Sequence, residues 1–241
     1  MALEELLAEF RDKEQTTDIT KANWYNIAAA ALAAASAGHE VVKLCRFATK
    51  DVDLETQKLV QRRIKETILK TSWLYGGPKA ILSLFPLFKD LKEEETDHFG
   101  ARWEAHLRND PNETAEAEAR GKLFFDKLWS PEAAKENLDF NFKHSPHLYL
   151  LVKHNLYFYA SEPSILSFIE TELIYAAALT CSNVPQQAEW HTRGIVRQGG
   201  TKEQARQVQE LSLKMAEMYD CRTGKITPVD EIEWDDKKSH A

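Results

Sequence analysis

The sequence predicts an all-α protein, and three observations carry that expectation. Apolar residues recur at helical spacing along nearly the whole chain; Val208, Leu211, Met215 and Met218, for example, form one 3-4-3 stripe. Gly and Pro number nine and eight in 241 residues, few for the many turns of a β-sandwich or barrel. Leu148 to Tyr159 is the one stretch that alternates as a strand does. It has no partner strand elsewhere and reads as helix.

The elements follow in order. An acidic amphipathic helix spans 3–13, and an Ala-rich one 22–37, then 39–49. Asp53 precedes a long helix over 54–75, which Gly76-Gly77-Pro78 terminates. Further helices are expected at 79–89, 92–108 and 113–128, with Glu93-Glu94-Glu95 as a solvated face. Ser130-Pro131-Glu132 opens 131–138: a capping Ser, Pro at the first helical position, and an acid at the positive helix end. Helices at 146–159 and 164–181 come next. Asn183-Val184-Pro185-Gln186 starts 184–198, and Thr201 with Gln204 makes a capping box for 202–219. The tail from Asp220 reads as irregular and polar.

Composition excludes several classes. Lys plus Arg total 31 against 38 Asp plus Glu, a formal charge of -7, which argues against a nucleic-acid partner. Three Cys with no C-x-x-C rule out a disulfide framework and a Cys-only zinc site. The longest apolar run, Ile27 to Ala37, is far shorter than the roughly 20 residues of a bilayer span, so no membrane partner is expected. Met1 to Lys13 is unlike a signal or transit peptide, and Ser239-His240-Ala241 ends in the wrong residue for a peroxisomal tripeptide. The resulting expectation is a soluble protein of a reduced compartment, the cytoplasm. Gly76-Gly77-Pro78 lacks the Lys-Ser/Thr of a phosphate-binding loop, and no G-x-S-x-G nucleophile elbow is present.

An internal repeat appears when the chain is slid by 147 residues. Ala29–Leu32 then falls on Ala176–Leu179, Arg46 on Arg193, Gln57 on Gln204, Gly77 on Gly224, and the Ile64/Ile68 stripe on Leu211/Met215. The expectation is two copies of one helical unit, about 22–77 and 170–224. Three segments result: an N-terminal repeat over 1–90, an aromatic-rich helical insert over 91–163, and a C-terminal repeat with a polar tail over 164–241.

The stretch from Glu172 to His191 holds the chemistry. It reads as a helix, a tight break at Ser182-Asn183, and a second helix on which Gln187 and His191 share one face. Two crossing helices can bring Glu172 towards His191. A His held by a carboxylate and facing a pocket is a competent general acid or base near neutral pH. Trp190, Tyr175 and Cys181 are candidates to contact a substrate there. Under the repeat offset, Glu172, Gln187 and His191 correspond to Tyr25, Glu40 and Leu44, so the first copy carries no recognisable site.

This stretch resembles the carboxymuconolactone decarboxylase / alkylhydroperoxidase D-like family, in particular its duplicated fungal-type members. The family's peroxidase branch uses Glu, eleven residues, Cys, two residues, Cys, three residues, His. Glu172 and His191 fit that spacing, while the two Cys positions become Val184 and Gln187. Arg63 to Pro78 and Gly199-Gly200-Thr201 are similar to the family's second core helix and its usual helix start. The resemblance implies an alkylhydroperoxidase D-like helical fold with two degenerate tandem repeats, and an assembly of a dimer or trimer of this chain. It also implies that the proton-relay residues persist without the redox dithiol. Peroxide reduction needs a thiolate and a resolving thiol, so peroxidase activity is not expected. The reaction implied is decarboxylation or proton transfer on a small carboxylic acid or lactone, with no cofactor and no metal. His191 would be the acid, Glu172 its orienting partner and Gln187 a donor to an oxyanion.

Plainer readings stand beside these. His191 also reads as a satisfied core or interface His, and Gln187 as a polar residue near a helix start. Cys45, Cys181 and Cys221 read as small buried hydrophobes, and residual peroxidase chemistry through Cys181 is the minor alternative. His144, His147 and His154 lack a carboxylate at ligand spacing and read as surface or capping residues, as do His98 and His106. The wider alternative is a family member that has lost catalysis and serves as an oligomeric scaffold or antioxidant-related partner.

Overall fold

Two mostly buried helices organise the fold. α2 (Trp24–Ala34) is buried along its whole length, and α10 (Phe168–Cys181) is buried from Thr171 to Cys181. A helix that is apolar all round is stable only when surrounded. Around them stand α1 (Leu3–Lys13), α3 (Val41–Ala48), α4 (Leu54–Tyr75), α5 (Gly77–Asp90), α11 (Pro185–Arg197) and α12 (Lys202–Met218). α6 (Ala101–Arg108), α7 (Glu113–Leu128), α8 (Pro131–His144) and α9 (Pro146–Asn155) form the intervening segment. The structure, a computed structural model, describes residues 2–14, 16–109 and 111–235. Ser239-His240-Ala241 lie outside them. The described residues form an all-α protein of twelve α-helices without a strand.

α10 packs against α2, α4, α11 and α12, and α2 packs against α4 and α12 as well. The Ala runs of α2 and α10 let these helices approach closely. One apolar cluster runs from Leu6 to Ile232, and the intervening segment adds Phe124, Leu128 and Trp129 to it.

The predicted helix starts hold at Asp53, Ser130 and Thr201. Each side chain accepts the backbone N–H three residues on. Asn183 departs from its expected capping role: it is left-handed (φ 60°), and the residue before α11 is Val184. Its αL geometry closes α10, with Val184 N–H donating to Leu179 O (3.2 Å). Ser36, 147 residues earlier, is also left-handed (φ 63°) beyond the end of α2.

The expected helix over 92–108 is broken. A 3-10 turn covers Glu93–Glu95, and α6 begins only at Ala101. The chain between them is held to its neighbours by charge. Arg46 forks onto Glu95 (2.9 Å to each oxygen), and Arg62 pairs with Asp97 (2.7 Å). Glu95 is therefore not part of a solvated face, and the Arg46 guanidinium pulls its carboxyl down to about 2. α8 runs six residues beyond its expected end at 138, to His144.

After α9 the chain adopts a π-helical turn, Leu156–Ala160. π-turns leave carbonyls out of the regular ladder, and a side chain answers them here. Lys70 Nζ, fully buried, donates to Glu162 O (2.7 Å), Ala160 O (3.2 Å), Leu166 O (3.3 Å) and Thr171 Oγ1 (2.8 Å). That lysine ties α4 to the start of α10.

Candidate functional site

Ser167 begins α10 with a reciprocal capping box. Its Oγ accepts Glu170 N–H, and its own N–H donates to Glu170 Oε2 (2.7 Å). Arg63 of α4 pairs with the other oxygen of Glu170 (2.6 Å), which fixes the rotation of α10 against α4. Pro185 then starts α11 where a missing N–H costs nothing. α10 and α11 pack as neighbours across the turn at 182–184. Glu172 lies ten residues before Ser182 and His191 nine residues after it, so the two stand at equal depth along the hairpin.

They meet. His191 Nδ1 lies 2.7 Å from Glu172 Oε2. The Glu172 side chain is wholly buried, whereas 14% of His191's remains in solvent. Glu172 Oε1 accepts no hydrogen bond from a described residue. A buried carboxylate is costly unless paired, so the imidazole is its principal stabiliser. With Nδ1 committed to the carboxylate, Nε2 is the nitrogen left for other chemistry.

The wall of the pair comes from three helices. Tyr175, one turn beyond Glu172, stands edge-on to His191 with ring centroids 5.1 Å apart. Trp73 of α4 donates its indole N–H to Tyr175 Oη (3.2 Å). Burial pushes the Tyr175 phenol well above its ordinary range. Trp190 packs edge-on against Trp129 at the end of α7 (5.2 Å). Gln187 is partly buried on the His191 face and makes no side-chain hydrogen bond to a described residue.

Cys181 does not belong to this group. It lies nine residues along α10 from Glu172, half a turn out of phase. Its Sγ donates instead to Ser212 O of α12 (3.3 Å), and burial pushes the thiol up to about 12. Cys181 is thus placed apart from the Glu172–His191 pair.

Sequence reasoning missed Gly194. A Cβ there would lie 2.7 Å from the Glu172 carboxyl carbon and 2.7 Å from Leu128 Cδ1, so only glycine lets α11 close onto the carboxylate. It missed Trp73 as well, 102 residues from Tyr175 in sequence. Gly194 had a visible signal, since a lone glycine inside a helical pattern asks for a packing reason. Trp73 had none.

Among the described residues no group of three or more His, Cys, Asp or Glu is placed to hold a metal ion. His144 packs on Phe140 (4.5 Å) and His154 on Phe158 (4.9 Å). A groove of about 830 Å³ lies elsewhere, between α7, α8 and the π-turn, with Phe125, Leu138 and Tyr157 in its lining and none of the Glu172–His191 group. Its size does not bear on the pair. No described helix is long and apolar enough to cross a membrane.

No family model matches the sequence, and no solved structure matches it. Among curated proteins, "Peroxisomal protein 2" of Schizosaccharomyces pombe is similar: 23% identical over 154 residues, 64% of this chain and 68% of that protein.

Proposed function

We propose that this chain is a carboxymuconolactone decarboxylase-like enzyme, working without a cofactor on a small cyclic or aromatic-derived acid or lactone. The observation that carries the reading is the 2.7 Å contact between His191 Nδ1 and the buried Glu172 carboxylate. The carboxylate holds Nδ1 and fixes the ring orientation, so that Nε2 points away from Glu172. In the reaction the bond from the substrate carbon to its carboxylate breaks, and CO2 leaves. The electron pair stays as an enolate, and His191 Nε2 delivers a proton to that carbon. Gln187, on the same face of α11, donates to the enolate oxygen. Glu172 touches no reacting atom and is a positioning residue. Cys181 is too buried to add thiolate chemistry.

The succession α2–α3–α4 and α10–α11–α12, with Ser36 and Asn183 left-handed at the same offset, supports a duplicated alkylhydroperoxidase D-like unit. We read the first copy as structural and the assembly as a dimer or trimer of this chain. Residence in the cytoplasm competes with the compartment in the relative's name; fluorescent fusions at either end decide it.

The test is a CO2-release screen on lactones and β-keto acids with the wild type and His191→Ala. Turnover that falls by at least about a hundredfold in the variant, in the range of lost general acid catalysis, supports the assignment. Turnover that survives the substitution overturns it. No turnover on any substrate leaves the scaffold reading as the better one.

A further inference from the structure

The corner of α4 and α5 leaves six large apolar side chains in solvent. α5 presents Ile81, Leu82, Phe85 and Phe88 on one helical stripe, and α4 adds Leu69 and Trp73 one turn apart, each 41–52% exposed. The Phe85 and Phe88 rings lie 6.4 Å apart. Between Gly77 and Phe88 there is no acid, and the single base, Lys79, is turned onto Ala34 O (2.5 Å).

With each side chain near half exposure, the apolar area is on the order of 500–600 Å². That is the upper end for a monomer's largest patch. It is most of the ~800 Å² that each partner buries in a standard interface. A centre rich in aromatics and poor in charge is the composition of a protein–protein contact, whereas lipid-binding helices flank their apolar face with Lys and Arg. Interfaces this apolar belong to permanent assemblies, and most of those repeat one chain about a closed axis.

We propose that the α4–α5 corner seats a second copy of this chain, and that this contact fixes the Trp73–Tyr175 wall beside the Glu172–His191 pair. Trp73 is the link. Trp73 is 41% exposed on the corner while its indole N–H holds Tyr175, whose ring stands edge-on to His191. A partner covering Trp73 fixes that wall. The wall half rests on the reading of His191 as the working residue; the seating half does not. The α8–α9 hairpin also exposes apolar residues, Phe142 and Leu150 among them, but beside Lys143, His144 and His147 rather than on an uncharged face.

The test is sedimentation velocity on the full chain at tens of micromolar, where an assembly of this kind is populated. Wild type is compared with Leu82→Asp/Phe85→Asp, with the milder Ile81→Ser/Phe85→Ser, and with Phe142→Asp/Leu150→Asp on the hairpin, helicity being checked by circular dichroism. Diethylpyrocarbonate labelling of His191, read by peptide mass spectrometry, runs in parallel. The expected result is an oligomeric wild type, corner variants that sediment as single chains with native helicity, and His191 labelled several-fold faster in them. A single-chain wild type overturns the proposal. So does an oligomer that survives both corner variants or separates only on the hairpin substitutions. Equal labelling rates overturn the wall half. None of these readouts measures turnover, so they are independent of a failed CO2 screen.

Discussion

Gly194 on α11 lies against Glu172 on α10 so closely that a methyl group there would stand 2.7 Å from the carboxyl carbon. The helix that carries His191 therefore reaches the carboxylate only because it has no side chain one turn later. Gly194→Ala is expected to push α11 and Glu172 apart, with an overpacking cost of about 1–3 kcal/mol. Thermal unfolding measures that cost. Loss of the Nδ1–carboxylate contact appears in the imidazole nitrogen shifts of His191 by NMR. A stable Gly194→Ala protein with unchanged His191 shifts would show that the close approach does not position the pair.

The Glu172–His191 contact is legible in sequence because both residues are counted from one turn, at nearly equal distances. Cys181 is as near in sequence but half a helical turn out of phase, and it lies apart from the pair. The helical architecture is legible from periodicity and caps, and it fails where charge pairing replaces propensity. Glu95 and Asp97 leave the helix to reach Arg46 and Arg62, which precede them by 35 residues or more. Trp73 and Lys70 act on partners about 90 or more residues away, a relationship that no local pattern encodes.

Lys70 gives a pH signature. Burial lowers its ammonium from 10.5 to about 8 in the folded protein. Below about 8 both states are charged and the full burial penalty is present. Between there and 10.5 the unfolded chain binds more protons, so stability rises with pH. Lys70→Met should remove that rise, on the order of 3 kcal/mol across the window. Urea titrations of both proteins at several pH values give the difference curve. Tyr25, Tyr75 and Tyr175, whose phenols burial raises, lose stability with rising pH in both proteins and cancel in that difference. Parallel curves for the two proteins would refute the assignment.

Arg102 forks onto Glu66 (2.6 and 3.0 Å) while its Nε donates to Phe158 O of the π-turn (2.6 Å). The Glu66 side chain is 2% exposed, and burial raises its carboxyl against the opposing guanidinium. Arg102→Ala strands that charge and is expected to cost about 3–5 kcal/mol in chemical denaturation. Arg102→Lys keeps the charge but loses the fork, so its cost should fall between wild type and Ala. Adding Glu66→Gln to Arg102→Ala should recover part of the loss, because the stranded charge is gone. A double variant no better than the single one would mean that the π-turn contact, not the buried carboxylate, carries the energy.

The three cysteines make a last prediction about reactivity. Burial pushes Cys45 and Cys181 up to about 12, and it raises Cys221 as well. A thiol reacts as its thiolate, so both buried groups are almost wholly protonated at neutral pH. Cys221 is the partly exposed member of the set. An Ellman titration of native protein should therefore label Cys221 first, with Cys45 and Cys181 reacting only on unfolding. Hydrogen peroxide should be consumed no faster than by a protein of equal thiol content, because the Cys181 thiol is buried against Ser212 O and held protonated. Rapid peroxide turnover that disappears in Cys181→Ser would reverse this conclusion. It would also return the chain to thiol chemistry, since the Glu172–His191 pair would then serve a sulfur nucleophile rather than protonate carbon.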